Sequence, residues 1–209
     1  MAKTVNAIVI TGDIIASSKL SVTARKKLQN KIDSFIKKIS AILPDFKAEQ
    51  FRGDSVQCIL TKNRLSALRT ALSLYCYLAT DNFKIRQSIG IGEISYSGSN
   101  IVTSDGTAFR ISGENIDGLK KRNELIHVAS AEASFNEEWK AHSASLNYLL
   151  ERLSNAQAEA LYLQLQNVRQ EEIAKALKIS QPSVHQRLQA AGWAVINPML
   201  QRFETVNAV

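Results

Sequence analysis

Apolar and polar positions follow a regular pattern over the first 60 residues. Residues 5–10 form a nearly continuous apolar run rich in β-branched side chains, which predicts a buried strand. After Ser21, apolar positions recur at steps of three and four as far as Leu43, with lysines on the other face. This predicts an amphipathic helix capped by Ser21. Two extended runs then flank Gly53-Asp54 and predict a hairpin.

Further elements follow the hairpin. The pattern predicts a helix over residues 65–79, a strand over 84–96, a helix beginning at Asp105-Gly106 and a short strand over 125–129. Gly90 and Gly92 lie on one face of the 84–96 strand, so we expect another element or a ligand to lie very close to it. The order β-α-β-β-α-β-α-β indicates an α+β fold, a ferredoxin-like palm in which an antiparallel sheet is backed by helices.

The strand pattern stops near residue 134, and the rest of the chain has only helical periodicity. Ser134 with Glu137, and Ser154 with Gln157, each fit a capping box. We therefore expect a palm domain over residues 1–131, a linking helix over 132–153 and a small all-α domain over 154–209. The terminal helix has a broader apolar face than such a bundle needs, which predicts docking on the palm or dimerisation. We expect a homodimer.

Residues 170–189 have the pattern of a helix-turn-helix. Ala174 lies where the two helices would touch, Ser180 would cap the second helix, and Pro182 lies in its first turn, where a missing N–H costs nothing. Lys178 occupies the turn position that glycine usually holds, so it needs a positive φ. Residues predicted to contact DNA are Lys175, Lys178, Gln181, Ser183, Gln186 and Arg187.

The charge distribution supports a second interpretation of this segment. The chain of 209 residues has a net charge of +7, which favours an anionic partner. Residues 1–149 contain 20 lysines and arginines against 14 acidic residues, a difference of +6, whereas residues 150–209 contain 6 against 5, a difference of +1. DNA affinity rests largely on phosphate neutralisation. The near-neutral C-terminal segment is therefore also compatible with a three-helix packing module that binds no DNA.

Composition predicts the compartment. Cys58 and Cys76 lie in apolar segments without metal-ligand spacing, which is typical of buried thiols in a reducing compartment. No apolar run approaches the roughly 18 residues of a membrane span, and the first residues lack the pattern of a signal peptide. We expect a cytoplasmic protein that does not enter a membrane.

Two carboxylates are the candidate chemistry of the N-terminal region. Asp13 directly follows the first buried strand, and Asp54 lies at the predicted hairpin tip. Two carboxylates gathered at one end of a sheet can hold Mg²⁺ in a nucleotidyl-transfer site. Each aspartate also has a purely structural interpretation, because aspartate is common in Asx-turns and Gly-Asp is common in hairpin turns.

Four blocks carry a resemblance to a known family, and they read in order ITGDII, RGDSVQ, IRQSIGIGEI and SDGTAFRISGENI. Their order and spacing resemble those of class III nucleotidyl cyclases, whose core is a palm-like ferredoxin fold. More narrowly, the motifs GDII, RGDS and SDGxAFR resemble those of the SatD-like family of bacterial proteins. The segment around residues 170–189 resembles the helix-turn-helix of sigma-type and LuxR-type bacterial regulators.

The resemblance implies roles for single residues. Asp13 and Asp54 take the metal-ligand positions, the backbone carbonyl of Ile14 is a further ligand, and Asp105 lies near the position that helps select the base. Cyclases place an Asn and an Arg four residues apart on the following helix, where this chain has Arg110 and Glu114. Arg110 can contact phosphate through its guanidinium fork, whereas Glu114 would repel the charge that develops on a transferring phosphate.

These features predict a cytoplasmic bacterial regulator in which a divergent cyclase-like palm binds a nucleotide with Mg²⁺ and a C-terminal helix-turn-helix binds DNA. Two alternatives stay open on the sequence. One is a metal-dependent nucleotidyl transferase or cyclase. The other is a metal-free palm that serves as a dimerisation scaffold.

Overall fold

The computed structural model describes residues 4–51, 53–95, 101 and 104–208. Its N-terminal elements alternate in the predicted order, namely β1 (Thr4–Ile14), α1 (Val22–Ile42), β2 (Lys47–Phe51), β3 (Ser55–Leu60), α2 (Ala67–Ala79), β4 (Ile85–Ser95), α3 (Thr107–Arg122) and β5 (Ile126–Ala129). Five helices follow, namely α4 (Ala133–Glu151), α5 (Asn155–Leu165), α6 (Gln170–Leu177), α7 (Gln181–Ala190) and α8 (Trp193–Val206). The predicted α+β palm with an added helical region is therefore confirmed. Arg52, in the RGDSVQ block, lies outside the described residues, and so do parts of the segment between β4 and α3.

The five strands form one sheet in the order β2-β3-β1-β4-β5. The pairs β2–β3, β3–β1 and β1–β4 are antiparallel, while β4 and β5 run parallel. The sheet is thus antiparallel over its first four strands and mixed at one edge. A parallel neighbour requires a crossover, and α3 supplies it.

Helices cover both faces of the sheet. Ile8, Ile10 and Ile14 of β1 belong to the core that includes the buried side chains of α1 and α2, while Ala7 and Val9 pack with Ala108 of α3 on the other face. This alternation follows from the two-residue period of a strand. The β1 side chains therefore divide into an α1/α2 side and an α3 side, and this division determines what each candidate residue can contact.

Close packing at Gly90 and Gly92 is confirmed. A β-carbon added to Gly90 would lie 2.3 Å from the backbone oxygen of Ala108 and 2.7 Å from the backbone nitrogen of Ser112. One added to Gly92 would lie 2.5 Å from Oγ1 of Thr107. Both glycines thus allow the first turns of α3 to lie directly on β4.

Helix caps account for several boundaries. The Ser21 side chain accepts a hydrogen bond from the Ala24 N–H, and Ser154 forms the predicted capping box with Gln157. The capping box predicted for Ser134 is wrong, because α4 begins at Ala133 and Glu132 occupies the N-cap position without a side-chain bond. Ser134 lies in the first turn, two residues past the N-cap position that a capping box requires.

Buried side chains from the palm and from the C-terminal helices belong to one apolar core. The Tyr75 hydroxyl of α2 donates a hydrogen bond to the Leu150 carbonyl at 2.9 Å, and the Trp139 ring of α4 meets Phe203 of α8 edge-on at 5.3 Å. Docking of α8 on the palm, one of the two roles predicted for its apolar face, also occurs, because the Arg69 guanidinium of α2 lies 3.4 Å from the Glu204 carboxylate of α8. The domain boundaries at residues 131 and 153 stay a prediction, since the apolar core extends across both.

Both cysteines are buried and unpaired, as expected. Burial raises the pKa of the Cys58 thiol to about 12, because the thiolate would lose its hydration. Neither thiol is therefore a reactive nucleophile at neutral pH. No helix among the described residues is long and apolar enough to cross a membrane.

Candidate functional sites

Asp13 lies near the end of β1, on the α3 side of the sheet. It is paired in register with Ser55 of β3 and with Arg86 of β4. Its carboxylate is 3.9 Å from the Arg86 guanidinium and 3.5 Å from Nζ of Lys120, near the end of α3. The Asp13 side chain is 17% exposed, so two cationic side chains balance a mostly buried carboxylate.

Asp54 lies in the turn between β2 and β3, beside the same end of β1. Its backbone carbonyl accepts a hydrogen bond from the Ile14 N–H at 2.8 Å. Its carboxylate accepts one from the Ser17 hydroxyl, also at 2.8 Å. Asp54 and Ser17 line a shallow depression of about 310 Å³ together with Leu28 and Gln29 of α1. Asp54 therefore faces a depression on the α1 side.

The structure thus brings Asp13, Ile14 and Asp54 to one end of the sheet but gives the two carboxylates different partners. Asp13 contacts cations on the α3 side, and Asp54 contacts a hydroxyl on the α1 side. Within the described part of the chain, no group of three or more His, Cys, Asp or Glu side chains is placed to hold a metal. Mg²⁺ commonly binds through one or two carboxylates together with the phosphates of a substrate. The donor set fits an ion that arrives with a nucleotide better than one bound alone.

The residues predicted to select the base and contact phosphate lie elsewhere. Asp105 accepts a hydrogen bond from the Gly106 N–H just before α3, and Arg110 and Glu114 are exposed on the helix. At 1.5 Å per residue, the beginning of α3 is roughly 20 Å from Lys120. Asp105 and Arg110 are therefore at the far end of α3 from Asp13 within one chain.

A polar layer between the sheet and α3 was not predicted. The Thr11 hydroxyl lies 2.9 Å from the Ser112 hydroxyl and accepts a hydrogen bond from the Gln57 amide. The Ser88 hydroxyl and Nε of Arg86 are buried without a hydrogen-bond partner among the described residues. Unsatisfied buried polar atoms are costly, so this layer is a place where a polar ligand or water would be favoured.

Three residues that contact the two aspartates were not predicted from the sequence, namely Arg86, Lys120 and Ser17. Arg86 occurs in the third resemblance block, but nothing in the strand pattern pairs it with Asp13. Lys120 belongs to the basic last turn of α3, where cations are ordinary because they complement the helix dipole. Only the register of β1 against β4 and the position of α3 identify these partners.

The predicted helix-turn-helix forms from α6 and α7. Lys178 ends α6 with φ 55° and ψ 43°, the left-handed conformation predicted for this turn position. The Ser180 side chain accepts a hydrogen bond from the Ser183 N–H and so caps α7 as expected. Val184 and Leu188 are buried against the other helices, so the remaining faces of α7 point outward.

The six residues predicted to contact DNA differ in their exposure and in their partners within the protein. Lys175, Lys178, Gln181 and Gln186 are exposed. Ser183 is half-buried, and its hydroxyl lies 2.8 Å from the Ser180 hydroxyl. The Arg187 guanidinium is 3.9 Å from the Glu159 carboxylate of α5. Four side chains are therefore available as they stand, and two have partners within the protein.

Comparison with known proteins finds similarity for part of the chain to one family model and for about 60% of it to solved structures. Residues 143–191, which include α5, α6 and α7, match the family model described as Sigma-70, region 4. No curated protein matches the chain. Solved structures similar to it include a bacterial light-regulated adenylyl cyclase, with 18% identity and a TM-score of 0.48 over 60% of this chain and 76% of that one. Another is the adenylyl cyclase CyaB from P. aeruginosa, with 15% identity and a TM-score of 0.47 over 62% of this chain and 79% of that one.

Proposed function

We propose that this chain is a DNA-binding regulator whose α7 enters the major groove. The observation that carries the proposal is the α6–turn–α7 unit, with its left-handed Lys178 and its outward-facing α7, inside the segment that matches Sigma-70 region 4. Gln181 and Gln186 have side chains that pair with adenine edges, and Ser183 can bond to any base. Lys175 and Lys178 provide phosphate contacts.

Arg187 has a further role in this proposal. Arginine makes a bidentate contact with guanine, and in the free protein the Arg187 guanidinium lies beside Glu159. The pair is partly exposed and long, so its rupture costs little. A guanine at the right position would therefore draw Arg187 into the groove.

Replacing Arg187 with alanine should weaken binding to a selected DNA site by about 1–3 kcal/mol, because one bidentate base contact is lost. Binding to mixed-sequence DNA should change much less. The measurement is fluorescence anisotropy on a duplex selected from a random library with the native protein. Gln189→Ala is the matched control on the exposed face of α7. A selected duplex that both variants bind like the native protein would contradict the role of Arg187, and failure to select any DNA would contradict the proposed function.

We further propose that the palm binds a nucleotide with Mg²⁺. The supporting observation is the position of Asp13 between Arg86 and Lys120. Phosphate groups would compete for these two cations and free the carboxylate. Asp54 would also have to leave the Ser17 hydroxyl and turn toward the end of β1. Asp13, Asp54 and the Ile14 carbonyl would then hold the ion, which would screen the phosphate charge. Asp105 and Arg110 lie at the other end of α3, so a site that uses all five residues needs a second copy of the chain, in agreement with the expected homodimer.

Asp13→Asn should abolish stabilisation by a nucleotide together with Mg²⁺, because it removes the carboxylate charge. A ligand present at 100 times its dissociation constant stabilises the native protein by about 2.7 kcal/mol. The measurement is thermal unfolding against ATP and GTP, with and without Mg²⁺. Asp33→Asn, which removes an exposed carboxylate from α1, is the control. An equal nucleotide shift in native protein and Asp13→Asn would contradict the site.

The two alternatives predict different results when the same nucleotides are followed by product analysis and the oligomeric state is measured. An active nucleotidyl transferase or cyclase would convert the nucleotide in an Asp13-dependent manner. Arg110 and Glu114 argue against cyclisation, because Glu114 would repel a transferring phosphate. A metal-free scaffold would show no nucleotide shift while remaining dimeric. The proposed regulator is a cytoplasmic bacterial protein of the SatD-like type.

A further inference from the structure

Helix α1 carries a concentration of positive charge that the proposed DNA-reading unit lacks. Its 21 residues contain six lysines and arginines, from Arg25 to Lys38, against one acidic residue, Asp33, a difference of +5. The whole chain has a net charge of +7. Residues 150–209 contribute only +1. Most of the net positive charge of the chain therefore lies on α1.

Three of these lysines form a row along one side of α1. Lys27, Lys31 and Lys38 are spaced by four and seven residues and so share a face. The ammonium groups of Lys27 and Lys31 contact Asp81 at the end of α2, and those of Lys31 and Lys38 lie over the Tyr77 ring, 4.5 Å and 5.1 Å from its centre. We call these three residues the cation row. The row thus borders the end of α2.

The cation row leads through packed side chains to α5. The Tyr77 ring lies 5.1 Å from that of Tyr162 on α5. At the beginning of α5, the Asn155 amide donates a hydrogen bond to the Asn82 side chain at 3.0 Å, next to Asp81. Two independent contacts therefore fix α5 directly beside the row.

Helix α5 in turn borders the recognition helix. Glu159, one turn after Asn155, lies 3.9 Å from Arg187 of α7. Asn155, Ala156 and Glu159 are exposed, so an open strip of α5 lies between the cation row and Arg187. Packed helices lie 8–10 Å apart, which places α1 within roughly 30 Å of α7. One turn of DNA is about 34 Å long, so a duplex read by α7 is long enough to reach the row.

We infer that the cation row is a second DNA-contact surface, which binds phosphates next to the site read by α7. This inference rests on the proposed DNA-binding function. Lys27, with a side chain 60% exposed, and the exposed Lys38 make the contacts. Lys31 is only 10% exposed and remains with Asp81, so that Asp81 keeps a cationic partner when Lys27 turns to a phosphate. The palm would thereby supply the electrostatic affinity that the near-neutral helical region lacks.

The salt dependence of DNA binding tests this inference. Each phosphate contact contributes about 0.9 to the slope of log K against log salt concentration. Lys27→Gln combined with Lys38→Gln should therefore flatten the slope by roughly 1.8 on a mixed-sequence duplex of about four helical turns. Lys121→Gln combined with Lys140→Gln removes the same charge from exposed positions on α3 and α4 and should leave the slope nearly unchanged.

The possible results separate this inference from the proposed function. A native protein that binds no duplex at low salt would overturn both. A native protein that binds DNA, while the cation-row variant and the control variant give the same slope, would overturn only the cation row. Lys27→Arg combined with Lys38→Arg keeps the charges and should restore the native slope. If the slope were flattened in the arginine variant as well, altered packing and not lost charge would be the cause, and the inference would be overturned.

Discussion

Replacing Gly90 with alanine is expected to lower the free energy of unfolding by about 3 kcal/mol, the upper end of the cost of overpacking. The added β-carbon would lie 2.3 Å and 2.7 Å from two backbone atoms of α3. Backbone atoms in a helix cannot move separately, so the whole of α3 has to shift away from the sheet. Lys120 lies on that helix, so the shift would also separate it from Asp13.

Chemical denaturation of the full chain measures this effect, and Gly113→Ala is the matched control. Gly113 lies on the same helix, and a β-carbon there would have no neighbour within 4 Å. Because alanine favours a helix over glycine, the control variant should be more stable by about 0.5–1 kcal/mol. Equal effects of the two substitutions would show that α3 does not lie on β4 as described.

Replacing Phe203 with alanine should cost about 3–5 kcal/mol, as is usual for a buried phenylalanine. The Phe203 side chain is fully buried, and its ring contacts that of Trp139. The remaining cavity would lie between α8 and α4, at the contact that fixes the terminal helix. Because the palm and the helices share one core, the loss should appear as a shift of the whole unfolding transition.

Unfolding followed by tryptophan fluorescence and by circular dichroism tests this prediction. Val195→Ala is the control on the same helix, since Val195 is 45% exposed, and it should change stability by no more than about 0.5 kcal/mol. If the two probes gave separate transitions in the Phe203 variant, the helical region would unfold independently. That result would contradict a single cooperative core.

Much of the secondary structure could be predicted because its causes are local. Apolar spacing along α1, the serine caps at Ser21, Ser154 and Ser180, and the glycines of β4 each act over a few residues. The positive φ of Lys178 also followed from the spacing of its neighbours. The Ser134 cap was wrong because α4 begins at Ala133, two residues before the start that a Ser134 cap requires, and its N-cap Glu132 forms no side-chain bond.

The contacts of the candidate sites were not predictable in this way. Asp13 and Asp54 were predicted as site residues because one follows a strand and the other lies in a turn. No such local feature identifies the residues that contact them, which are Arg86, Lys120 and Ser17. Likewise, Arg187 was expected to face outward, and only the packing of α5 against α7 places it beside Glu159. Each of these pairs joins residues far apart in the chain, and local patterns contain no information about such distances.

The order of the elements, most of their ends and the helix-turn-helix were predictable from the sequence, because periodicity, capping and turn conformation depend on neighbours within a few positions. The parallel pairing of β4 with β5, the cations around Asp13 and the shared core of palm and helices depend instead on the three-dimensional fold. The reason is that strand register and helix docking are settled by the burial of whole apolar faces, and that burial alone determines which distant polar side chains meet.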